Sequence, residues 1–363
     1  MAAAVLIEGL QLPYRCLCAQ RSLLPGGKML RALLLLALVA AAASSNITKY
    51  TFDSQLPTRL QWLHNDGYCG EVSLVAALLK YGQYYSQYDV RDISTGDQQQ
   101  FYLVGDNDEV TSKKVNLNYI EWDYTIRDST KYLAWVKKMT RAGYAVTITV
   151  FMNYYMFYGI TDKTAGERDY DHIVSISRVD SNYDDDLYHN DDIVTFSDHG
   201  LWAPRTTGPP YLFSYTMRDF IGTREQANSQ RSGAIYTLPA SPVANFGIAH
   251  TGNVDLKGDL LPILVETNVN YESPEIGIKS NDRPAAMEVK LTVTVSGLEE
   301  GVNYVLYKYE SEKTVPSSNF NANKAQAHAS YPIIGSESKK YVLSETIMSS
   351  QKVIYRCVKA TAN

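Results

Sequence analysis

Cysteine is scarce in this chain, with four residues in 363. So few thiols exclude a disulfide-stapled scaffold, which depends on several bridges in a short sequence. No charge sign dominates either: 34 Lys and Arg stand against 39 Asp and Glu, a formal net charge of −5. Without a basic excess there is no electrostatic reason to expect binding to nucleic acid or to an anionic membrane. Phenylalanine is low at 9 while tyrosine reaches 28, a weak pointer to a β-rich or extracellular protein. Beyond residue 43 no apolar run approaches the roughly 20 residues that span a bilayer, so no membrane span is expected. Internal repeats and low-complexity tracts are absent as well. What remains is ordinary globular composition, 45% hydrophobic and 20% charged, on a chain long enough for two domains.

The first residues carry a targeting pattern. Lys28, Met29, Leu30 and Arg31 precede a leucine- and alanine-rich run from Ala32 to Ala43, and small residues follow through Ser45. A basic region, an apolar region and a small-residue cleavage zone in that order read as a signal peptide. Residues 1–45 are therefore set aside, with Met29 as an alternative start. The mature chain is expected to be secreted or lumenal (extracellular, vacuolar or lysosome-like). Asn46-Ile47-Thr48 is a sequon, with Asn46 as the glycosylation acceptor. Cys16 and Cys18 leave with the signal, so Cys69 and Cys357 remain, and a disulfide between these two is the alternative to any thiol chemistry.

Apolar spacing predicts a buried helix from Cys69 to about Tyr81, closed by Gly82. A second helix is capped at Asp128 or Ser129, carries Leu133, Val136 and Met139, and ends at Gly143. Strands are expected at Tyr144–Phe151, His172–Val179, Asp192–Asp198, Tyr211–Tyr215 and Ala234–Leu238. Pro239-Ala240-Ser241-Pro242 reads as a linker. Alternating strands then follow at regular spacing: Leu261–Asn268, Glu288–Val295, Tyr304–Tyr309, Tyr341–Thr346 and Val353–Val358. The expectation is an α+β domain over 46–238 and a small all-β sandwich over 239–363.

Chemistry concentrates in Asn65-Asp66-Gly67-Tyr68-Cys69-Gly70. A thiol on the first turn of a helix faces free backbone N–H groups and the positive end of the helix dipole, and both favour the nucleophilic thiolate. His172 opens a downstream strand, and the next strand ends on Asp198. Cysteine, histidine and aspartate can serve as nucleophile, base and orienting group. His199 is the second candidate base and Asp171 the second candidate carboxylate. Two further features carry other readings. Asp180 to Asp186, with Asp191 and Asp192, spaces oxygen ligands as a calcium loop does, yet it lacks the glycine and glutamate of such loops, so no metal is expected. Phe151, Tyr154, Tyr155, Phe157 and Tyr158 could line a cleft or simply pack.

Cys69-Gly70 opening an apolar helix, His172-Ile173-Val174 opening a strand and Asp198 ending the next with Gly200 beyond resemble the papain-like cysteine peptidase fold. The likeness is greatest to the bacteriocin-processing, double-glycine branch (peptidase C39-like), and it covers residues 50 to 238. The second cysteine and tryptophan of the papain and cathepsin signature are missing, so that branch is not implied. The resemblance implies Cys69 as nucleophile, His172 as general base and Asp198 as the group holding the imidazole. It also implies an oxyanion-binding glutamine six residues before the cysteine. Position 63 is leucine here, which leaves Gln61, Asn65 or His64 to take that part. A thiol protease or amidase acting on a peptide or protein substrate needs no cofactor. The alternatives are acyl transfer at the same site, and an inactive surface binding module whose sandwich contacts protein or carbohydrate.

Overall fold

The computed structural model describes residues 49–62, 67–96, 102–202, 211–231, 234–270, 283 and 285–361. Residues 1–45, expected to be a signal, the sequon residue Asn46, and the site candidates His64 and Asn65 lie outside the described residues. Thr48–Asn363 forms one compact unit. In chain order it comprises β1 (Tyr50–Asp53), α1 (Cys69–Lys80), β2 (Gln83–Tyr84), α2 (Gln87–Thr95), α3 (Asp108–Lys114), β3 (Leu117–Glu121), α4 (Ser129–Arg141), β4 (Ala145–Met152), α5 (Tyr154–Tyr158), β5 (His172–Ser181), β6 (Ile193–Ser197), β7 (Leu212–Thr216), α6 (Met217–Phe220), β8 (Ile221–Gly222), α7 (Arg224–Ala227) and β9 (Tyr236–Pro239). The all-β portion adds β10 (Gly247–Asn253), β11 (Ile263–Thr267), β12 (Glu288–Ser296), β13 (Asn303–Tyr309), β14 (Ala329–Ile334), β15 (Lys340–Met348) and β16 (Val353–Lys359). The result is a mixed α+β fold with mostly antiparallel sheets.

A large sheet runs in the order β3-β10-β4-β5-β6-β7, with β1 beside β5 and β9 beside the end of β4. Its centre is β4 and β5, rich in β-branched residues and buried on both faces, with Val146, Ile148, Val150, Val174 and Ile176 on one and Ala145, Thr147, Thr149 and Ile173 on the other. Two smaller sheets, β11-β12-β15 and β14-β13-β16-β2, pool inward residues such as Val289, Leu291, Val293, Leu306 and Ile354 in one apolar cluster.

The helix α1 joins the first segment to the C-terminal strands in one apolar cluster. Every residue from Gly70 to Leu79 is buried, as expected of a helix that is apolar all round. Leu74, Val75, Leu78 and Leu79 share a cluster with Val289, Leu291, Leu306 and Ile354 of the C-terminal strands. Each such buried aliphatic side chain contributes about 1.5–3 kcal/mol relative to exposure. Asp128 caps α4 by accepting from Thr130 N and Lys131 N at 3.1 and 3.2 Å.

The boundary expected at 238/239 does not separate two cores. After Pro239-Ala240-Ser241-Pro242 the chain re-enters the large sheet as β10, which pairs with both β3 and β4. In the other direction, β2 leaves the first segment to pair with β16. The proline-rich stretch is itself tied down: Ser129 Oγ donates to Pro239 O at 2.8 Å, and Ser129 N donates to Ser241 Oγ at 2.9 Å.

Candidate active site

Cys69 occupies the first position of α1, where its own N–H has no intrahelical acceptor. The helix end abuts the start of β5, so the backbone N–H groups of Ile173 and Gly70 face the sulfur. Gly70 is what lets the two elements meet. A methyl group on its Cα would lie 2.1 Å from Tyr102 O and 3.1 Å from Ile173 Cδ1. Cys69 as a whole residue remains half-buried, while its sulfur is desolvated.

The imidazole beside Ile173 is that of His172, itself 1% exposed. Its Nε2 lies 3.3 Å from the backbone carbonyl of Asp198. A carbonyl only accepts, so Nε2 carries the proton and Nδ1 holds the lone pair, an assignment inferred from the partner. The ring stacks on Tyr236 with centroids 5.7 Å apart.

Asp198 thus meets His172 through its main chain. Its carboxylate turns away, accepting from Gly200 N at 2.8 Å, Trp202 N at 2.9 Å and the Tyr236 hydroxyl at 3.3 Å. The expected orienting carboxylate is a turn-builder here, because an aspartate closing a His-Gly turn finds N–H donors within its own loop. Asp171, the second candidate, is held by Arg224 through both guanidinium nitrogens at 2.5 and 2.9 Å.

His199 is also close by, and it is occupied. Ser73 Oγ donates to Cys69 O at 2.7 Å and lies 2.9 Å from His199 Nε2; Ser175 Oγ is 3.4 Å from the same nitrogen. Ser73 therefore accepts from the ring while donating to the cysteine carbonyl.

Burial decides the protonation states. The Cys69 thiol is pushed up to about 11, first by desolvation and second by the charge of Glu71; the N–H groups of Ile173 and Gly70 and the charge of Arg91 oppose this only in part. Desolvation pushes His172 down to about 4, against the pull of the Asp198 carbonyl. The thiolate expected from the helix terminus is therefore not the resting form: the helix dipole is worth less than the cost of burying a charge. Sulfur and imidazole rest neutral.

Gln61 is brought to the site by a backbone bond from its N to His199 O at 3.0 Å. Its side chain is buried, with Nε2 3.4 Å from the point where a Gly67 Cβ would stand, and Oε1 has no hydrogen-bond partner. The residues that sequence reasoning missed are Glu71 and Arg91, an ion pair at 2.7 Å that is 1% and 0% exposed. The signal was present: a lone glutamate inside an apolar helical run has to find a partner.

Among the described residues both cysteines, Cys69 and Cys357, are free thiols, Cys357 being fully buried in β16, which removes the disulfide alternative. In the acidic loop, the Lys137 ammonium sits where a cation would. It contacts Asp192 Oδ2 at 2.9 Å, Ser181 Oγ at 3.0 Å, Asp185 Oδ1 at 3.1 Å and Leu187 O at 3.2 Å. Among the described residues no His, Cys, Asp and Glu cluster suits a metal, and no helix is long and apolar enough to cross a membrane. Comparison of the chain with protein-family models, curated proteins and solved structures returns no match.

Proposed function

We propose that this chain is a papain-like cysteine hydrolase of a secreted or lumenal compartment, with an all-β C-terminal portion, acting on peptide or amide bonds. The observation that carries it is the sulfur of Cys69 against the Ile173 N–H, one residue from an imidazole whose Nε2 is occupied and whose Nδ1 is free to accept. As the sulfur bonds to the substrate carbonyl carbon, His172 Nδ1 takes the thiol proton. The same nitrogen returns it to the leaving amine as the C–N bond breaks. Water then cleaves the thioester by the reverse sequence. The Cys69 N–H and the Gln61 carboxamide are the donors suited to the oxyanion, each worth roughly a hundred- to a thousand-fold in rate. Asp198 serves through its carbonyl, fixing the ring's tautomer. An amine or thiol acceptor in place of water would turn the same intermediate to acyl transfer.

One observation favours a second reading. A thiol near 11 beside an imidazole near 4 is also what an inert packing cysteine in a binding module would have. The two part on capture by a peptidyl electrophile, such as a vinyl sulfone library, and on turnover of peptide amides. The hydrolase requires modification at Cys69 that is lost in both Cys69→Ala and His172→Asn. Modification unaffected by His172→Asn, with no turnover, would leave the inert scaffold.

A further inference from the structure

We propose that Glu71 and Arg91 are positioning residues for the Cys69 site, a buried ion pair that fixes the turn carrying the nucleophile. The inference rests on the hydrolase reading, and it concerns residues of α1 and α2 behind the site. Arg91 Nε meets Glu71 Oε1 at 2.7 Å, and the same carboxylate oxygen accepts from Tyr102 N at 3.0 Å. Arg91 Nη2 donates to Gly67 O at 2.6 Å, and its guanidinium lies 3.5 Å from the centroid of the Tyr68 ring. Tyr68 in turn packs edge-on against Trp62, with centroids 5.2 Å apart. One guanidinium therefore holds the two residues that immediately precede Cys69.

The turn it holds is demanding. Gly67 adopts a φ of 94°, and the face of its Cα is set against the Gln61 amide. Gly70 sits against Tyr102, the segment that Glu71 anchors. Arg91 and Glu71 thus fix both flanks of Cys69: the flank that meets the oxyanion donor and the flank that meets β5. A lysine could replace the charge but not the planar fork that stacks on Tyr68 while reaching Gly67 O.

The pair also acts on the thiol with opposite signs. Glu71 disfavours the thiolate and Arg91 favours it. The other titratable groups that feel the sulfur's charge are Tyr170, just before β5, and Tyr236 of β9, while His172 adjoins the Ile173 N–H that meets it. All of them stay constant in the test.

The experiment compares Glu71→Gln, Arg91→Met, Arg91→Lys and the double variant Glu71→Gln/Arg91→Met in the full chain. Thermal unfolding reports folding, iodoacetamide kinetics at Cys69 from pH 7 to 11 report the thiol, and kcat and KM are read on any peptide amide the wild type turns over. Arg91→Met should slow alkylation at pH 8 by about tenfold for each unit by which the thiol pKa rises, and Glu71→Gln should accelerate it. Arg91→Lys should keep the wild-type pH profile and lose about tenfold in kcat with KM little changed. If either single charge removal prevents folding, the double variant decides, since it leaves no buried charge unpaired. It should stay folded with reduced kcat. Folded variants with wild-type alkylation profiles and wild-type kcat overturn the inference. If the wild type has no turnover yet the two alkylation profiles move apart, the pair's hold on the thiol stands and the hydrolase reading falls.

Discussion

Acidification should unfold this protein steeply, because three imidazoles are buried in their neutral form. His172, His199 and His250 are 1%, 2% and 0% exposed. Desolvation is the first cause of depression for each, to about 4, about 3 and about 3. In the unfolded chain these rings titrate near 6.5, so as pH falls below 6.5 the unfolded state takes up protons that the folded state refuses. Their contribution is therefore present above pH 6.5 and is lost as pH falls toward 4. Each ring adds a slope of about 1.4 kcal/mol per pH unit in that window. Asp108 works the other way. Desolvation, then the nearby charge of Glu121, raises its carboxyl to about 7, so the folded state gains that proton first. The net slope is about 3 kcal/mol per pH unit, or about 7 kcal/mol between pH 6.5 and 4, against a typical total stability of 5–15 kcal/mol. Urea unfolding followed by tryptophan fluorescence at pH 7, 6, 5 and 4.5 measures it. His250→Gln supplies the internal control. That ring bonds Ser112 Oγ at 2.9 Å, far along the chain from the Cys69 turn, and its replacement should flatten the slope by about 1.4 kcal/mol per unit. A stability that is level from pH 6.5 to 4.5, or a slope unchanged in His250→Gln, would refute the reasoning.

Under the hydrolase reading, the acid limb of kcat/KM should fall near pH 4 in the protein that is still folded, not near 6.5, because His172 is the base; a limb at 6.5 would mean that another imidazole acts. Asp198→Asn should retain most of the activity lost in His172→Asn, since the carbonyl that holds the ring is untouched; equal losses in a steady-state assay would return the role to the carboxylate. Lys137→Met should cost about 3–5 kcal/mol in chemical unfolding by leaving the buried Asp192 without its cation, and a smaller loss would mean that water reaches the loop. Expression of residues 46–238 alone should give no cooperative unfolding transition, because β10 and the apolar cover of α1 are then missing.

The elements that the sequence predicts well are those whose signal is local. The α1 helix announces itself by an apolar run of helical length, and β4 and β5 by β-branched runs. β10 is hidden because Gly247-Ile248-Ala249-His250-Thr251-Gly252-Asn253 carries two glycines and follows a proline-rich stretch, while its partner β3 lies more than 120 residues upstream. β2 is two residues long and exists only through its pairing with β16. Both strands pair segments that lie on either side of residue 238, and strand pairing between distant segments has no local trace.

The site divides along the same line. Cys69, His172 and Asp198 are readable as residue types in order, but the chemistry of each depends on depth, which order does not encode. A helix start favours a thiolate only while water or a cation shares the charge. Here desolvation first, and the charge of Glu71 second, outweigh the backbone N–H groups, and the thiol rises. An imidazolium would need a carboxylate, yet Asp198 gives its carboxylate to Gly200, Trp202 and Tyr236 and offers His172 only a carbonyl. At the thiol, desolvation and Glu71 outweigh Arg91, and no carboxylate faces His172, so the resting pair is neutral; under the hydrolase reading proton transfer then accompanies attack on the substrate. Under that reading the oxyanion donors are decisive: among the described residues, Gln61 and the Cys69 N–H are the groups suited to the charge created when sulfur attacks. The Gln61 carboxamide, buried with its oxygen unbonded, stands at a glycine whose carbonyl Arg91 holds.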